Sequence, residues 1–193
     1  MFLLAQKVIL IGASTGGVEA LGAIFSDFPV KIPPVVLVLH MPVGFTQILA
    51  ARLDLKMPFS VKEAKSGDEI KPGQVLIAQA GKHIKIARYG SKLVVETYTG
   101  PKVQWAIPSV DVLFESAAEA LKEQAVGLIL TGMGSDGAMG LLKMREAGAV
   151  TIGQDEKTCA IYGMPKVAMD MGAVMHQLPL HEIAETVLRF ARQ

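Results

Sequence analysis

Three side chains in this sequence could serve as nucleophile, base and acid, and each follows a short apolar run: Ser14, His40 and Asp136. Ser14 lies in Gly12-Ala13-Ser14-Thr15-Gly16, a G-x-S-x-G pattern between an apolar run and a helix-period segment, the context a nucleophile elbow requires. The glycines permit a tight turn that exposes the hydroxyl, and the start of the next helix offers free N–H groups to a developing oxyanion. The same pattern also suits a glycine-rich strand-to-helix turn whose serine caps the helix. His40 ends an apolar run, and an ordinary imidazole pKa of about 6.5 suits it to take a proton from Ser14 near neutrality. On its own it would be a hydrogen-bonded structural histidine. Asp136 would hold that imidazole in the useful tautomer, or else cap the helix that follows it. His83, His176 and His181 read as structural or surface residues.

The loop around Asp136 carries a competing signal. Gly132-x-Gly134-x-x-Gly137 is a literal G-x-G-x-x-G between a strand and a helix, with Asp155 placed near where a ribose-binding acid would fall. A dinucleotide-binding module is therefore the runner-up. Against it, the unit comes late in the chain, whereas the first strand-to-helix turn usually holds the fingerprint. Nor does that reading give Ser14 or His40 a role. A further alternative is an interaction domain whose triad has lost activity.

The elements that must position these residues follow from the apolar pattern. Residues 8–11, 35–39 and 126–130 are short Val/Ile-rich runs, each followed by small residues and then by a helical segment at 18–25, 45–55 and 138–147. Residues 149–152 and 173–176 are two further strand candidates, and 180–192 closes the chain as an amphipathic helix. Continuous apolar strands alternating with helices predict an α/β fold: a doubly wound, mostly parallel sheet with helices on both faces. Residues 60–99 differ, because turn residues separate the runs 75–78, 84–87 and 93–97 too closely for helices to intervene; this predicts a β-hairpin excursion. A helix over 109–122 follows, with Ser109 as its N-cap. Because ligands of such sheets bind beyond the carboxyl ends of the strands, Ser14, His40 and Asp136 should share one edge.

Composition narrows the class. The 193 residues carry a formal net charge of +1, which excludes a generally basic nucleic-acid binder. With 51% hydrophobic and 19% charged residues, the chain can bury a core and does not read as disordered. A lone Cys159 excludes an internal disulfide framework and fits a reduced, cytoplasmic setting. No apolar run is long enough for membrane insertion. The start Met1-Phe2-Leu3-Leu4-Ala5 faintly resembles a signal peptide, but no positive region precedes it, and Gln6 and Lys7 interrupt it. No dense His, Cys and carboxylate cluster suggests a metal. With no repeat or linker in evidence, residues 1–193 read as a single domain.

Beyond these readings, the chain resembles the catalytic domain of the bacterial chemotaxis protein-glutamate methylesterases. The resemblance covers nearly the whole chain and rests on several motifs in order. They are Gly12-Ala-Ser-Thr-Gly-Gly17, His40-Met-Pro42, Pro108-Ser-Val-Asp-Val-Leu-Phe114, Thr131-Gly-Met-Gly-Ser-Asp-Gly-Ala138, Gln154-Asp-Glu156 and Cys159-Ala-Ile-Tyr-Gly-Met-Pro165 with the adjoining Lys166. It implies a catalytic triad of Ser14, His40 and Asp136, with Thr15, Met133 and Gly134 positioning substrate or oxyanion. It implies hydrolysis of glutamate γ-methyl esters on the cytoplasmic helical region of chemoreceptors, releasing methanol, and deamidation of receptor glutamines, all without a cofactor. The order Ser, His, Asp is not that of the α/β-hydrolases, so the elbow motif does not imply that fold. Two places depart from the family pattern. Ala106, beside Trp105, stands where relatives often have a histidine, and 78–83 reads Ala-Gln-Ala-Gly-Lys-His where Ala-Pro-Gly-Gly-x-His is common. Relatives usually carry an N-terminal receiver domain; with the first catalytic strand at Val8, none is expected in this chain, and activity is expected to be constitutive.

Overall fold

Five apolar residues in an unbroken row, such as Val35-Val-Leu-Val-Leu39, can be buried on both sides only inside a covered sheet. The computed structural model describes residues 6–192, so the Met1–Ala5 run lies outside the described residues. In it β1 (Val8–Ala13) and β2 (Val35–Leu39) are buried at every position, as is β7 (Ala125–Ile129). With β3 (Ser60–Glu63), β4 (Gln74–Ile77), β8 (Val150–Gln154) and β9 (His176–Leu178) they form a seven-stranded sheet in the order β3-β4-β2-β1-β7-β8-β9. Every pairing in that sheet is parallel.

Helices cover both faces. On one side α1 (Gly17–Ser26), α2 (Phe45–Lys56) and α6 (Leu180–Ala191) pack on Ile9, Ile11, Leu37 and Leu128. On the other, α3 (Val110–Leu121), α4 (Ala138–Glu146) and α5 (Met164–Asp170) pack on Leu10, Val36, Val38 and Ile129. The chain adds β2 on one flank of β1 and later returns to add β7 on the other. The strand order therefore reverses at β1, which places the switch-point crevice beside Ser14.

The expected hairpin is present but narrower than the 60–99 span. β5 (His83–Tyr89) and β6 (Lys92–Tyr98) form a separate antiparallel pair. Residues 60–63 and 74–77 instead join the main sheet. Their parallel crossover contains no helix; its loop leans on the hairpin through Gly67 N–H to Val95 O and Ile70 N–H to Leu93 O. The hairpin thus covers the sheet where a helix would otherwise lie.

Candidate active site

Register brings Ser14 and His40 together. Ala13 pairs with Leu39, so the next residue of each strand, Ser14 and His40, lies side by side just past the sheet. The ladder continues through this point, with His40 N–H donating to Ala13 O (3.1 Å) and Ser14 N–H to Thr131 O (3.0 Å). Alternation along each strand sets both residues on the face that α3 covers, Ser14 with Leu10 and Gly12, His40 with Val36 and Val38. Among the described residues, no hydrogen bond joins the Ser14 hydroxyl to the imidazole. Such bonds are often long before substrate tightens the site.

Asp136 is buried and saturated with donors. Its Oδ2 accepts from His40 Nε2 (2.8 Å) and Val110 N–H (2.7 Å). Its Oδ1 accepts from the Ser109 hydroxyl (2.7 Å) and Asp111 N–H (3.0 Å). Three of these four donors belong to the start of α3, so Asp136 caps α3. The alternative role of capping the helix that follows it is not observed, because the N-cap of α4 is Gly137, with no side-chain cap of its own. The cap of α4 comes across the helix pair: Asp111 Oδ1 accepts Gly140 N–H at 2.7 Å. Each helix start is thus held by a carboxylate from the other segment. This exchange needs close approach, and the glycines permit it. A Cβ on Gly137 would lie 2.6 Å from Val110 Cγ1, and one on Gly140 would lie 2.9 Å from the Asp111 carbonyl oxygen.

His83, buried as expected of a structural histidine, extends the network. Its Nδ1 accepts Ser109 N–H (3.2 Å) and its Nε2 donates to Pro101 O (2.9 Å), fixing the residue whose hydroxyl holds Asp136. Two further residues, given no separate role in the sequence reading, set the loop after β7. Gln154 Oε1 accepts Thr131 N–H (2.9 Å), and Thr131 Oγ1 bridges Thr15 O and Ile161. Their signal was a polar side chain at a fully buried position, which becomes visible only once the sheet is assembled. Gly132 is needed because a Cβ there would come within 2.7 Å of Ser14 Cβ. Thr15 and Met133 are both exposed, and their backbone N–H groups make no hydrogen bond with the described residues.

The glycine fingerprint at 132–137 therefore has other work: room for Ser14, a left-handed turn at Gly134 (φ 95°) and contact with α3. The α4 N-terminus that would receive a pyrophosphate already holds the Asp111 carboxylate. Asp155 is turned into its own loop, accepting Thr158 N–H at 3.0 Å. The residues do not fit a dinucleotide.

A cleft of about 470 Å³ opens beside His40 and Asp136, lined also by Met41, Val43, Trp105 and Met133. One wall is a tight hairpin turn in which Val103 and Ala106 exchange both backbone hydrogen bonds. Its two central residues, Gln104 (φ 48°) and Trp105 (φ 65°), are left-handed without being glycine, a conformation that costs about 1 kcal/mol or more for each. The outcome is that Trp105 stands 91% exposed at the rim of the cleft. Ala106, in the place where relatives often have histidine, also lines it.

Burial pushes the Asp111 carboxyl up to about 6, against the pull of the Gly140 N–H, and the neighbouring Asp136 charge adds to the rise. Burial likewise pushes the Cys159 thiol up to about 11, so it stays protonated and unreactive near neutrality. Among the described residues, no group of three or more His, Cys, Asp or Glu side chains could hold a metal ion. No helix in them is long and apolar enough to cross a membrane.

A doubly wound α/β sheet with serine, histidine and aspartate gathered beyond its strand ends has the layout of a nucleophilic hydrolase site. The chain belongs to the CheB methylesterase family, whose model matches residues 9–187. It is 50% identical to a protein-glutamate methylesterase/protein-glutamine glutaminase of Syntrophomonas wolfei, over 96% of this chain and 54% of that protein. A namesake from Hahella chejuensis is 48% identical over 95% of this chain and 50% of its own length. The chain thus spans about half the length of the curated relatives it matches. The crystal structure of the Thermotoga maritima CheB methylesterase catalytic domain superposes with a TM-score of 0.93 at 38% identity, covering 96% of this chain and 99% of that one.

Proposed function

We propose that this chain is the catalytic domain of a serine esterase that hydrolyses γ-methyl esters of glutamate on cytoplasmic helices of chemoreceptors and deamidates glutamines there. The observation that carries this reading is the His40–Asp136 bond of 2.8 Å, formed one strand over from Ser14 at the switch point. With its Nε2–H given to Asp136, His40 keeps Nδ1 as the free base. Ser14 Oγ attacks the ester carbonyl while Nδ1 takes its proton. The N–H groups of Thr15 and Met133, with Gly134 shaping the loop, receive the oxyanion. The imidazolium then protonates the departing methanol, and Asp136 steadies its charge. Water, deprotonated by the same nitrogen, cleaves the acyl-serine to give free glutamate. For a glutamine substrate the leaving group is ammonia, and His40 delivers the same proton.

The protein is placed in the cytoplasm on this reading, acting on receptor and not on nucleic acid. The test is methanol release from methylated receptor helices, and ammonia release from their glutamine-bearing counterparts, by the purified protein. Catalytic turnover of the methyl ester is expected. A protein that binds the receptor but releases no methanol would return the reading to an interaction domain.

A further inference from the structure

Ser14, His40 and Asp136 leave one buried titratable group of this region without a role. Asp111 is 4% exposed, sits on the first turn of α3, and gives its own N–H to Asp136 while its carboxylate takes Gly140 N–H at the start of α4. Asp136 lies four residues before Gly140. The two bonds therefore clamp the segment carrying Asp136 from both ends. We propose that Asp111 is a positioning residue for the His40–Asp136 pair, its carboxylate locking the start of α4 and its negative charge stabilising the protonated imidazole. This rests on the hydrolase reading above and adds to it a second carboxylate, which lies within the Pro108–Phe114 motif but was given no role there.

Apart from His40, Asp111 is the charged group that Asp136 meets most directly. Along α3, Glu115 is one turn away and adds to the rise at Asp111, while Lys143 of α4 pairs with Glu115 at 2.7 Å and also feels the charges of Asp111 and Glu119. From β5, His83 touches the cluster only through Ser109 N–H. The strands beneath, VILIGA in β1, VVLVL in β2 and AVGLI in β7, contribute no charged side chain. His40, at the end of β2, reaches the cluster through Asp136. Once ionised, Asp111 repels the Asp136 charge, and at an effective dielectric of about 20 such a charge is still felt a few ångströms beyond its neighbour.

The sign for stability is opposite to that of a paired surface carboxylate. The folded-state pKa of Asp111 stands above its unfolded value, so the folded protein binds that proton more tightly. Stability then falls as pH rises through about 6, and a neutral side chain at this position removes the dependence. A residue that merely filled space would lose stability on replacement at every pH.

The experiment is the pH dependence of kcat/KM for methyl-ester hydrolysis by the wild type and Asp111→Asn, with thermal melts alongside. Asn keeps an oxygen for Gly140 N–H and removes the charge. The acid limb, which reports the imidazole of His40, is expected to move down by about half to one pH unit. The melt at pH 8 is expected to be no lower than that of the wild type. An unmoved limb with a lowered melt would overturn the proposal, leaving Asp111 a structural cap. If Asp111→Asn does not fold, Asp111→Ser, which keeps an oxygen for Gly140 N–H without the charge, is read the same way. In either variant the His40 ring, followed by NMR, is expected to lose its proton at a lower pH than in the wild type; an unchanged midpoint in a folded variant would overturn the proposal. A wild type without esterase activity would instead reject the hydrolase reading, and the ring titration would still test Asp111.

Discussion

Two glycine-rich turns of nearly the same appearance do opposite jobs. Gly12-Ala-Ser-Thr-Gly-Gly17 leads from β1 into α1, and Gly132-Met-Gly-Ser-Asp-Gly137 leads from β7 into α4. At the first, Gly16 is the N-cap of α1 with no side-chain cap, and Thr15 N–H makes no hydrogen bond with the described residues. At the second, Asp136 faces back into α3 and the start of α4 is taken by Asp111. The helix start after the first turn is left open to negative charge; the helix start after the second is closed by negative charge already present, although Met133 N–H, earlier in that turn, makes no hydrogen bond with the described residues. The lesson is that a glycine pattern reports close backbone approach, and only the partners of the helix start tell whether an anion can bind there.

Breaking the link between the two turns should have the largest effect. His40 joins them, and His40→Ala is expected to reduce methanol release by about 10⁴-fold or more while the far-ultraviolet spectrum stays unchanged, since triad members act as a unit. Asp136→Asn should cost about 10²–10⁴-fold, because the α3 N–H donors still hold an amide oxygen while the imidazole loses its charged partner. It should also lower the melting temperature, α3 having lost its charged cap. Both are read by steady-state hydrolysis with melts as the control.

Smaller effects sharpen the comparison away from the turns. Trp105→Ala is expected to lower kcat/KM on receptor about tenfold through KM, as removal of an exposed aromatic anchor does, and to spare small methyl esters. Equal losses on both substrates would mean that the Gln104-Trp105 turn shapes the site instead of meeting the protein substrate. Asp155→Ala should change neither activity by more than about twofold, and calorimetry should detect no nicotinamide dinucleotide binding to either protein. Saturable binding lost on that substitution would mean that the second turn is open after all.

Much of this was legible from residues alone. The fully buried strands β1, β2 and β7 announce themselves as unbroken Val, Ile and Leu runs, and Ser109 after Pro108 marks the start of α3. The site residues could be named because each follows such a run. β3 was hidden because Ser60-Val-Lys-Glu63 is an edge strand with one buried apolar residue, Val61. α5 was hidden because it is seven residues long and begins with Pro165 in its first turn. The capping exchange between Asp136 and Asp111 joins residues 25 apart whose local sequence suggests ordinary helix starts. Only the packing of α3 on α4, permitted by Gly137 and Gly140, brings them together.

The central claim is that the open turn presents a nucleophile, and Ser14→Ala tests it most directly. Methanol release from methylated receptor should fall by about 10⁴–10⁶-fold with the melting temperature within a few degrees of the wild type. Hydrolysis within about tenfold of the wild type by a folded Ser14→Ala protein would contradict the account, since the oxygen that attacks would then have to come from elsewhere.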